Sequence, residues 1–491
     1  MIVTMKTNNC DLVIFGTKGD LSRRKLIPAL YQLEKKHKLG TKTRIIGVGR
    51  AIWNKDDYIT LVRNSLKTFM IERINESVWN KLKNRLYFCN LDINNINQFN
   101  ILKNILDQNK YIKINYFAVP PNMFTNICKG LGKSKLNHLN TRVVMEKPLG
   151  NSLCTFQEID NQVKKYFSEK QIFRIDHYLG KETVINLLAL RFANSLFIEN
   201  WSNKIIDHIQ ITVAEEVGIE GRWEYFNKTG QMRDMVQNHM LQILSTIAMS
   251  IPSSLHANNI RDEKVKVLKS LRYIDIKDIN KKTSIGQYTS GIIKGKKVIS
   301  YLQESNNINN INNSITETFV SIRVDIDNNK WKGVPFYLRT GKRLKQKCSE
   351  IIIFFKKPLI NIFEDSCKVL PQNKLRIRLQ PNEGIDIQIL NKVPGINHKY
   401  ELKETTLDLS YSKIFKKNNI VDAYERLLFE SMRDAQDLFV RRDEIEESWK
   451  WVDSIILAWE QKEKKPELYQ SGTWGPISSL DIMKNDGRKW N

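Results

Sequence analysis

Up to residue 175 the chain alternates short apolar runs with stretches of helical period. Apolar runs at residues 11–15, 44–48, 85–91, 113–119, 141–145 and 171–175 are each compact enough for a strand buried on both faces. After the first run, Leu26, Leu30 and Leu33 recur at the spacing of a helix that covers a sheet. Strands alternating with helices predict a doubly wound parallel sheet with right-handed crossovers. From residue 205 the pattern changes. Ile209, Ile211 and Val213 alternate with His208, Gln210 and Thr212, which predicts a half-exposed strand of an antiparallel sheet. Similar runs recur at 319–325, 350–355, 374–379 and 385–390. The expected fold is therefore a Rossmann-type α/β doubly wound domain over residues 1–176. It is followed by an α+β domain over residues 177–491, built on a large, mostly antiparallel sheet with helices on one face.

The bulk properties narrow this picture. A chain of 491 residues with 41% hydrophobic content suits two or three domains. No apolar run approaches the roughly 20 residues of a membrane span, and no signal pattern opens the chain, so the expectation is a soluble, cytoplasmic protein without a membrane partner. The six cysteines are scattered and form no C-x-x-C pair, as expected of reduced thiols and not of a zinc site. The net charge of +25 raises nucleic-acid binding. Its cations are spread along a sequence rich in Lys, Asn and Ile, without a basic stripe of interleaved aromatics, so no nucleic-acid partner is expected. Such a field still favours phosphorylated ligands. The Asn-rich residues 306–313 read as a polar surface loop, and 449–459, with a Trp at each end, as a helix packed in the core or against a subunit.

Two stretches carry candidate chemistry. Gly16-Thr17-Lys18-Gly19-Asp20-Leu21 lies between the first strand and its helix, where glycines let backbone N–H groups approach a pyrophosphate and the helix dipole faces the anion. The G-x-x-G spacing by itself also describes an ordinary turn. Arg50 closes the second strand, where an acid would favour NAD and a cation favours the 2′-phosphate of NADP; Lys18 adds a second cation, and a plain surface arginine is the alternative. The other stretch is Arg174-Ile175-Asp176-His177-Tyr178-Leu179-Gly180-Lys181-Glu182, which packs a carboxylate, an imidazole, a phenol and an ammonium into six residues at a strand end. Read alone, it is either a polar substrate site or a solvated, helix-capping loop.

The run R-I-D-H-Y-L-G-K-E resembles the substrate-site motif of the glucose-6-phosphate dehydrogenase family, and the likeness extends over essentially the whole chain. Tyr116-Phe117-Ala118-Val119-Pro120-Pro121 resembles the family's strand and diproline turn beside the nicotinamide. Glu146-Lys147-Pro148-Leu149-Gly150 is similar to its E-K-P-x-G motif, whose proline the family holds in cis. The run from Gly230 to His239 and Arg339-Thr340-Gly341-Lys342 match two further motifs. The resemblance implies oxidation of β-D-glucose 6-phosphate to 6-phospho-D-glucono-1,5-lactone with NADP, at the start of the oxidative pentose phosphate pathway. It also implies a homodimer or homotetramer. Carried over residue by residue, His239 is the general base and Asp176 orients it. Lys147, His177, Tyr178, Lys181, Glu215, Asp234, Lys342 and Lys347 contact substrate, while the 16–21 turn, Arg50, Tyr116 and Lys147 contact cofactor. Arg343 and Lys345 are read as solvated. The reaction calls for no metal, since a base at O1 and a hydride acceptor at C1 complete it. Dehydrogenation of another sugar or sugar phosphate is the alternative.

Overall fold

The computed structural model describes residues 7–305, 314–396, 400–415 and 421–491, and the Asn-rich stretch 306–313 lies outside them. The chain divides into two compact units. Unit 1 comprises the chain up to Lys181 together with Pro252–Asp262 and Val421–Glu446, and unit 2 comprises Glu182–Ile251, Glu263–Ile420 and Glu447–Asn491. This division differs from a single boundary after Asp176.

Unit 1 is built on strands β1 (Cys10–Phe15), β2 (Arg44–Gly49), β3 (Leu86–Asn90), β4 (Ile112–Phe117), β5 (Thr141–Met145) and β6 (Ile172–Ile175). They form a parallel sheet in the order β6-β5-β4-β1-β2-β3, with β17 (Phe439–Val440) added antiparallel to β6. Strand parity explains how both faces are covered. Leu12 and Ile14 of β1 pack into one core with the helix Ile27–Lys35, whereas Val13 and Phe15 pack into the other with the helices Phe99–Leu106 and Phe124–Lys133. The helix Ala423–Arg433 places Leu427, Leu428 and Met432 in the first of these cores. That is why residues from late in the chain belong to unit 1: a cut after Asp176 would strip away a helix and an edge strand. Arg261 Nε donates to the Phe439 carbonyl at 3.0 Å and ties the third segment in. The chain leaves β1 for β2 and β3, then returns to β4 on the other side of β1, so the carboxyl ends of β1 and β4 flank the point where strand order reverses.

Unit 2 contains β7 (Ile206–Ala214), β8 (Thr283–Thr289), a hairpin of β9 (Gly291–Ile293) and β10 (Lys296–Val298), β11 (Phe319–Val324), β12 (Phe336–Gly341), β13 (Cys348–Phe355), β14 (Lys374–Gln380), β15 (Gly384–Lys392), β16 (Leu402–Ser410) and β18 (Glu467–Gln470). Among the described residues the main sheet has the order β16-β15-β14-β13-β7-β12-β11-β8-β18. Its pairs are antiparallel except β7 with β12 and β8 with β18. The helix Arg442–Gln461 buries Trp449, Trp451 and Trp459, and the Trp459 indole donates to Thr283 at 2.9 Å, so these rings are core.

One expectation fails here. The polar face of β7 is not exposed: His208, Gln210 and Thr212 are all buried. The C-terminal residues cover it. Gln210 donates to the Lys489 carbonyl at 2.9 Å and accepts from the Asn491 N–H at 3.0 Å, while Arg488 pairs with Asp207 at 2.9 Å. Beside them the Arg339 guanidinium lies 4.6 Å from the Trp474 ring and 4.2 Å from Trp490. Polar side chains survive burial there because each finds a partner.

Candidate active site

In unit 1 the turn after β1 is held close to the end of β4. Gly16 has φ +82°, and a Cβ there would meet the Ala118 carbonyl oxygen at 2.4 Å, so only glycine suits this position. Ser22 Oγ donates to the Gly16 carbonyl at 3.1 Å, and Thr17 Oγ1 donates to the Tyr58 hydroxyl at 3.0 Å. The turn leads directly into the helical residues Ser22–Leu26 and Ile27–Lys35, so the positive end of the helix faces it. A cavity of about 540 Å³ opens beside it, lined by Gly16, Lys18, Arg50, Asp92, Val119 and Met123. Lys18 and Arg50 are exposed, and the Lys18 ammonium rests 4.5 Å from the Trp53 ring centre.

The ends of β4, β5 and β6 in the same unit gather a second group. Tyr116 is buried, and its hydroxyl donates to Glu146 Oε1 at 2.5 Å. Lys147 follows, with a cis bond to Pro148. After β6, Asp176 is buried and its Oδ1 accepts the Tyr178 N–H at 2.9 Å. The Lys181 ammonium sits 3.7 Å from the centre of the Tyr178 ring, and the His177 ring stacks on Tyr424 at 6.0 Å and 15°.

In unit 2 the polar centre is Lys342, whose side chain is only 1% exposed and whose Nζ lies 2.7 Å from Glu215 and 3.8 Å from Asp234. Glu215 follows β7 and Lys342 follows β12, and the parallel register that sets Gly341 beside Ala214 makes them neighbours. Asp234 and His239 lie within the wide-turned helical residues Met232–Met240, which continue as Leu241–Ala248, so His239 falls in the body of the helix and not near its start. Its side chain is fully buried. Gly230, at φ +69°, turns the chain into that helix, and Glu317 accepts the Met232 N–H at 2.9 Å. At the far end, Arg191 donates to the carbonyls of Thr246 and Met249, each at 2.6 Å. Arg343 is not solvated as expected but pairs with Glu304 at 3.1 Å. Lys347 has an exposed side chain, and its N–H donates to Glu216 at 3.1 Å.

Residues 13–186 match the family model for the NAD binding domain of glucose-6-phosphate dehydrogenase, and residues 188–491 match the model for its C-terminal domain. The chain belongs to the glucose-6-phosphate dehydrogenase family. It is 60% identical to the glucose-6-phosphate 1-dehydrogenase of Dickeya dadantii over 100% of this chain and 99% of that one. It is 44% identical to the Rhizobium meliloti enzyme of the same name, over 98% and 97%. Among solved structures, a glucose-6-phosphate dehydrogenase in complex with glucose-6-phosphate is similar at TM-score 0.90 and 33% identity, covering 100% of both chains. Another from Mycobacterium avium is similar at 0.84 and 30%, covering 99% of both. Members of the family are dehydrogenases acting on a CH–OH group with a nicotinamide dinucleotide, and the chain is one of them.

Of the residues singled out in the sequence, Gly16, Lys18 and Arg50 meet on one cavity, and Glu215, Asp234 and Lys342 form one cluster. Asp20 instead pairs with Arg24 on the surface at 3.1 Å, and Leu21 packs against the unit 1 core. Sequence reasoning missed Trp53, Tyr424, Glu304 and Tyr469. Tyr469 donates to the Lys342 carbonyl at 2.6 Å, a contact made across the sheet that no local pattern announces. The glycine turn yields a direct prediction. Gly16→Ala should weaken dinucleotide binding at least about tenfold, because the left-handed backbone and the Ala118 carbonyl together exclude a methyl group. Fluorescence titration with NADPH measures this, and unchanged affinity would contradict the close approach.

Proposed function

We propose that the chain is an NADP-dependent glucose-6-phosphate 1-dehydrogenase, oxidising β-D-glucose 6-phosphate to 6-phospho-D-glucono-1,5-lactone. On this reading it catalyses the first step of the oxidative pentose phosphate pathway in the cytoplasm, as a homodimer or homotetramer. The observation that carries the reading is the buried Lys342 between Glu215 and Asp234, in the unit matched by the C-terminal domain model. Two acceptors flanking an ammonium suit a polyol, whose hydroxyls both donate and accept. The oligomer is supported by Leu407 and Leu409, which stand 53% and 44% exposed on the edge strand β16.

Unit 1 then binds the dinucleotide through the 16–21 turn, with Lys18 and Arg50 suited to the 2′-phosphate. The nicotinamide, when bound, supplies the hydride acceptor. Tyr116 belongs to the cofactor side at the end of β4, and Lys147 serves both cofactor and sugar. His177, Tyr178 and Lys181 hold the substrate phosphate, and the clustering of their side chains around Tyr178 and Tyr424 supports that assignment. The cations His177, Lys181 and Lys342 disfavour the rival reading, a dehydrogenase of an unphosphorylated sugar. Glu215 and Asp234 bind sugar hydroxyls, and Lys342 and Lys347 contact the substrate. His239 takes the O1 proton as hydride leaves C1, and Asp176 fixes the imidazole tautomer.

Two predictions test these roles. Arg50→Ala should weaken NADP far more than NAD, by roughly 1.5 to 3 kcal/mol for a lost charge-assisted bond. Equal losses for the two cofactors in steady-state kinetics would remove Arg50 from that role. His239→Asn should lower kcat by on the order of 10² to 10⁴ with substrate affinity nearly intact, and Asp176→Asn should act similarly. Because the pair works as a unit, the double variant should lose much less than the product of the single effects. If the losses multiply, or if His239→Asn turns over normally, a different base is at work.

A further inference from the structure

The backbone of Lys342 is held from the far edge of its own sheet. Two strands, β11 and β8, separate β12 from the edge strand β18, yet the buried Tyr469 of β18 donates its hydroxyl proton to the Lys342 carbonyl at 2.6 Å. Gly286 of β8 leaves room for that reach, since a Cβ there would meet the Tyr469 ring at 2.9 Å. The ring also packs edge-to-face on Phe319, the first residue of β11, at 5.7 Å. A phenol has one proton, so in the 3.1 Å contact between Tyr469 and Thr318 the threonine hydroxyl is the donor. The Thr318 carbonyl in turn accepts the Lys342 N–H at 2.9 Å. Both backbone polar groups of Lys342 are thus bonded, one by Tyr469 and the other by the residue Tyr469 touches.

The residues after Tyr469 hold the next part of the same loop. Arg343 has φ +52°, a left-handed conformation that a side chain disfavours and that persists only where its neighbours fix it. Its N–H donates to the Val217 carbonyl at 3.1 Å, and its carbonyl accepts the Gly472 N–H at 2.8 Å. The Lys345 N–H donates to the Thr473 carbonyl at 2.9 Å. Tyr469, Gly472 and Thr473 therefore back the loop that carries Lys342, and all of these residues belong to unit 2. We propose that Tyr469 is a positioning residue for substrate binding: by fixing the Lys342 carbonyl it sets the direction in which Lys342 leaves the backbone, and so the place of its ammonium between Glu215 and Asp234. The inference rests on the reading of Lys342 as a substrate contact. Because the phenol proton is committed to a backbone carbonyl, Tyr469 acts through the lysine and not on the sugar.

Tyr469→Phe keeps the ring and removes the hydroxyl. It should raise the KM for glucose 6-phosphate about fivefold, as expected for one lost hydrogen bond between neutral groups, and change kcat by less than about twofold. The dissociation constant of NADPH, read by fluorescence titration, should stay within about twofold, because the dinucleotide turn belongs to unit 1. A purely structural role would instead lower the melting temperature and the active fraction, and with it kcat, at constant KM. The comparison is completed in a Lys342→Ala background, where adding Tyr469→Phe should leave the KM unchanged, since the side chain it positions is gone. A Tyr469→Phe enzyme with the wild-type KM, or the same KM ratio with and without the Lys342 side chain, would overturn the proposal while leaving the dehydrogenase reading intact. A wild-type protein that turns over no glucose 6-phosphate would sink both. If Lys342→Ala gives no measurable KM, Thr318→Val takes its place. It removes the hydroxyl donated to the phenol, so it should raise the same KM by a smaller factor and add little to Tyr469→Phe in the double variant. An unchanged KM, or effects that multiply, would again overturn the proposal. If Tyr469→Phe does not fold, the KM of Thr318→Val alone decides.

Discussion

An ammonium group removed from water needs carboxylates within reach, because isolated burial of a charge costs several kcal/mol. Lys342 imposes that requirement on unit 2. Its neighbours can be Glu215 and Asp234 only if β7 and β12 run parallel in register, so that the residues following each strand emerge side by side. The backbone beyond the strands keeps the register: Glu215 donates to the Gly341 carbonyl at 3.0 Å, and Leu344 to the Glu215 carbonyl at 2.9 Å. The Lys342 N–H donates to Thr318 at 2.9 Å, which brings in the strand on the other side of β12. Helix Met232–Met240 is then drawn to the same place by Asp234 and held there by Glu317. His239, in the same helix, inherits its position from this arrangement.

Unit 1 solves a different problem with the same economy of strand ends. A parallel sheet leaves the carboxyl ends of its strands on one edge, so β1, β2, β4, β5 and β6 each deliver one or two polar residues there. Glycine at position 16 lets the first of these ends approach the fourth strand closely. Farther along the edge, the phenol of Tyr116 donates to the buried Glu146 carboxyl. A late helix and strand complete the sheet, which is why residues 421–446 contribute to an edge otherwise built by the first part of the chain.

Much of this was legible in the sequence because burial on both faces leaves compact apolar runs. The strands of unit 1 fall where those runs are, and the alternation around Ile209, Ile211 and Val213 marks β7. Other strands carried no such signal. In β16 the exposed positions mix Lys403, Glu404, Thr406 and Asp408 with Leu407 and Leu409, so neither face reads as buried, and β12 mixes aromatics with the charged motif it carries. The exposure of the β7 polar face was misjudged because its cover comes from residues 488–491, far along the chain. The site motifs were readable as residue types at strand ends. Their partners Tyr424, Glu304 and Tyr469 were not, since each arrives from a distant segment by tertiary packing alone.

On the proposed reading the protein oxidises a phosphorylated sugar with NADP. Absorbance at 340 nm with the purified protein, pairing glucose 6-phosphate or glucose with NADP or NAD, tests that reading. The kcat/KM for glucose 6-phosphate with NADP should exceed the value for glucose by orders of magnitude and the value for NAD by a clear margin. Equal turnover of glucose and glucose 6-phosphate, or no reduction of either cofactor, would contradict it.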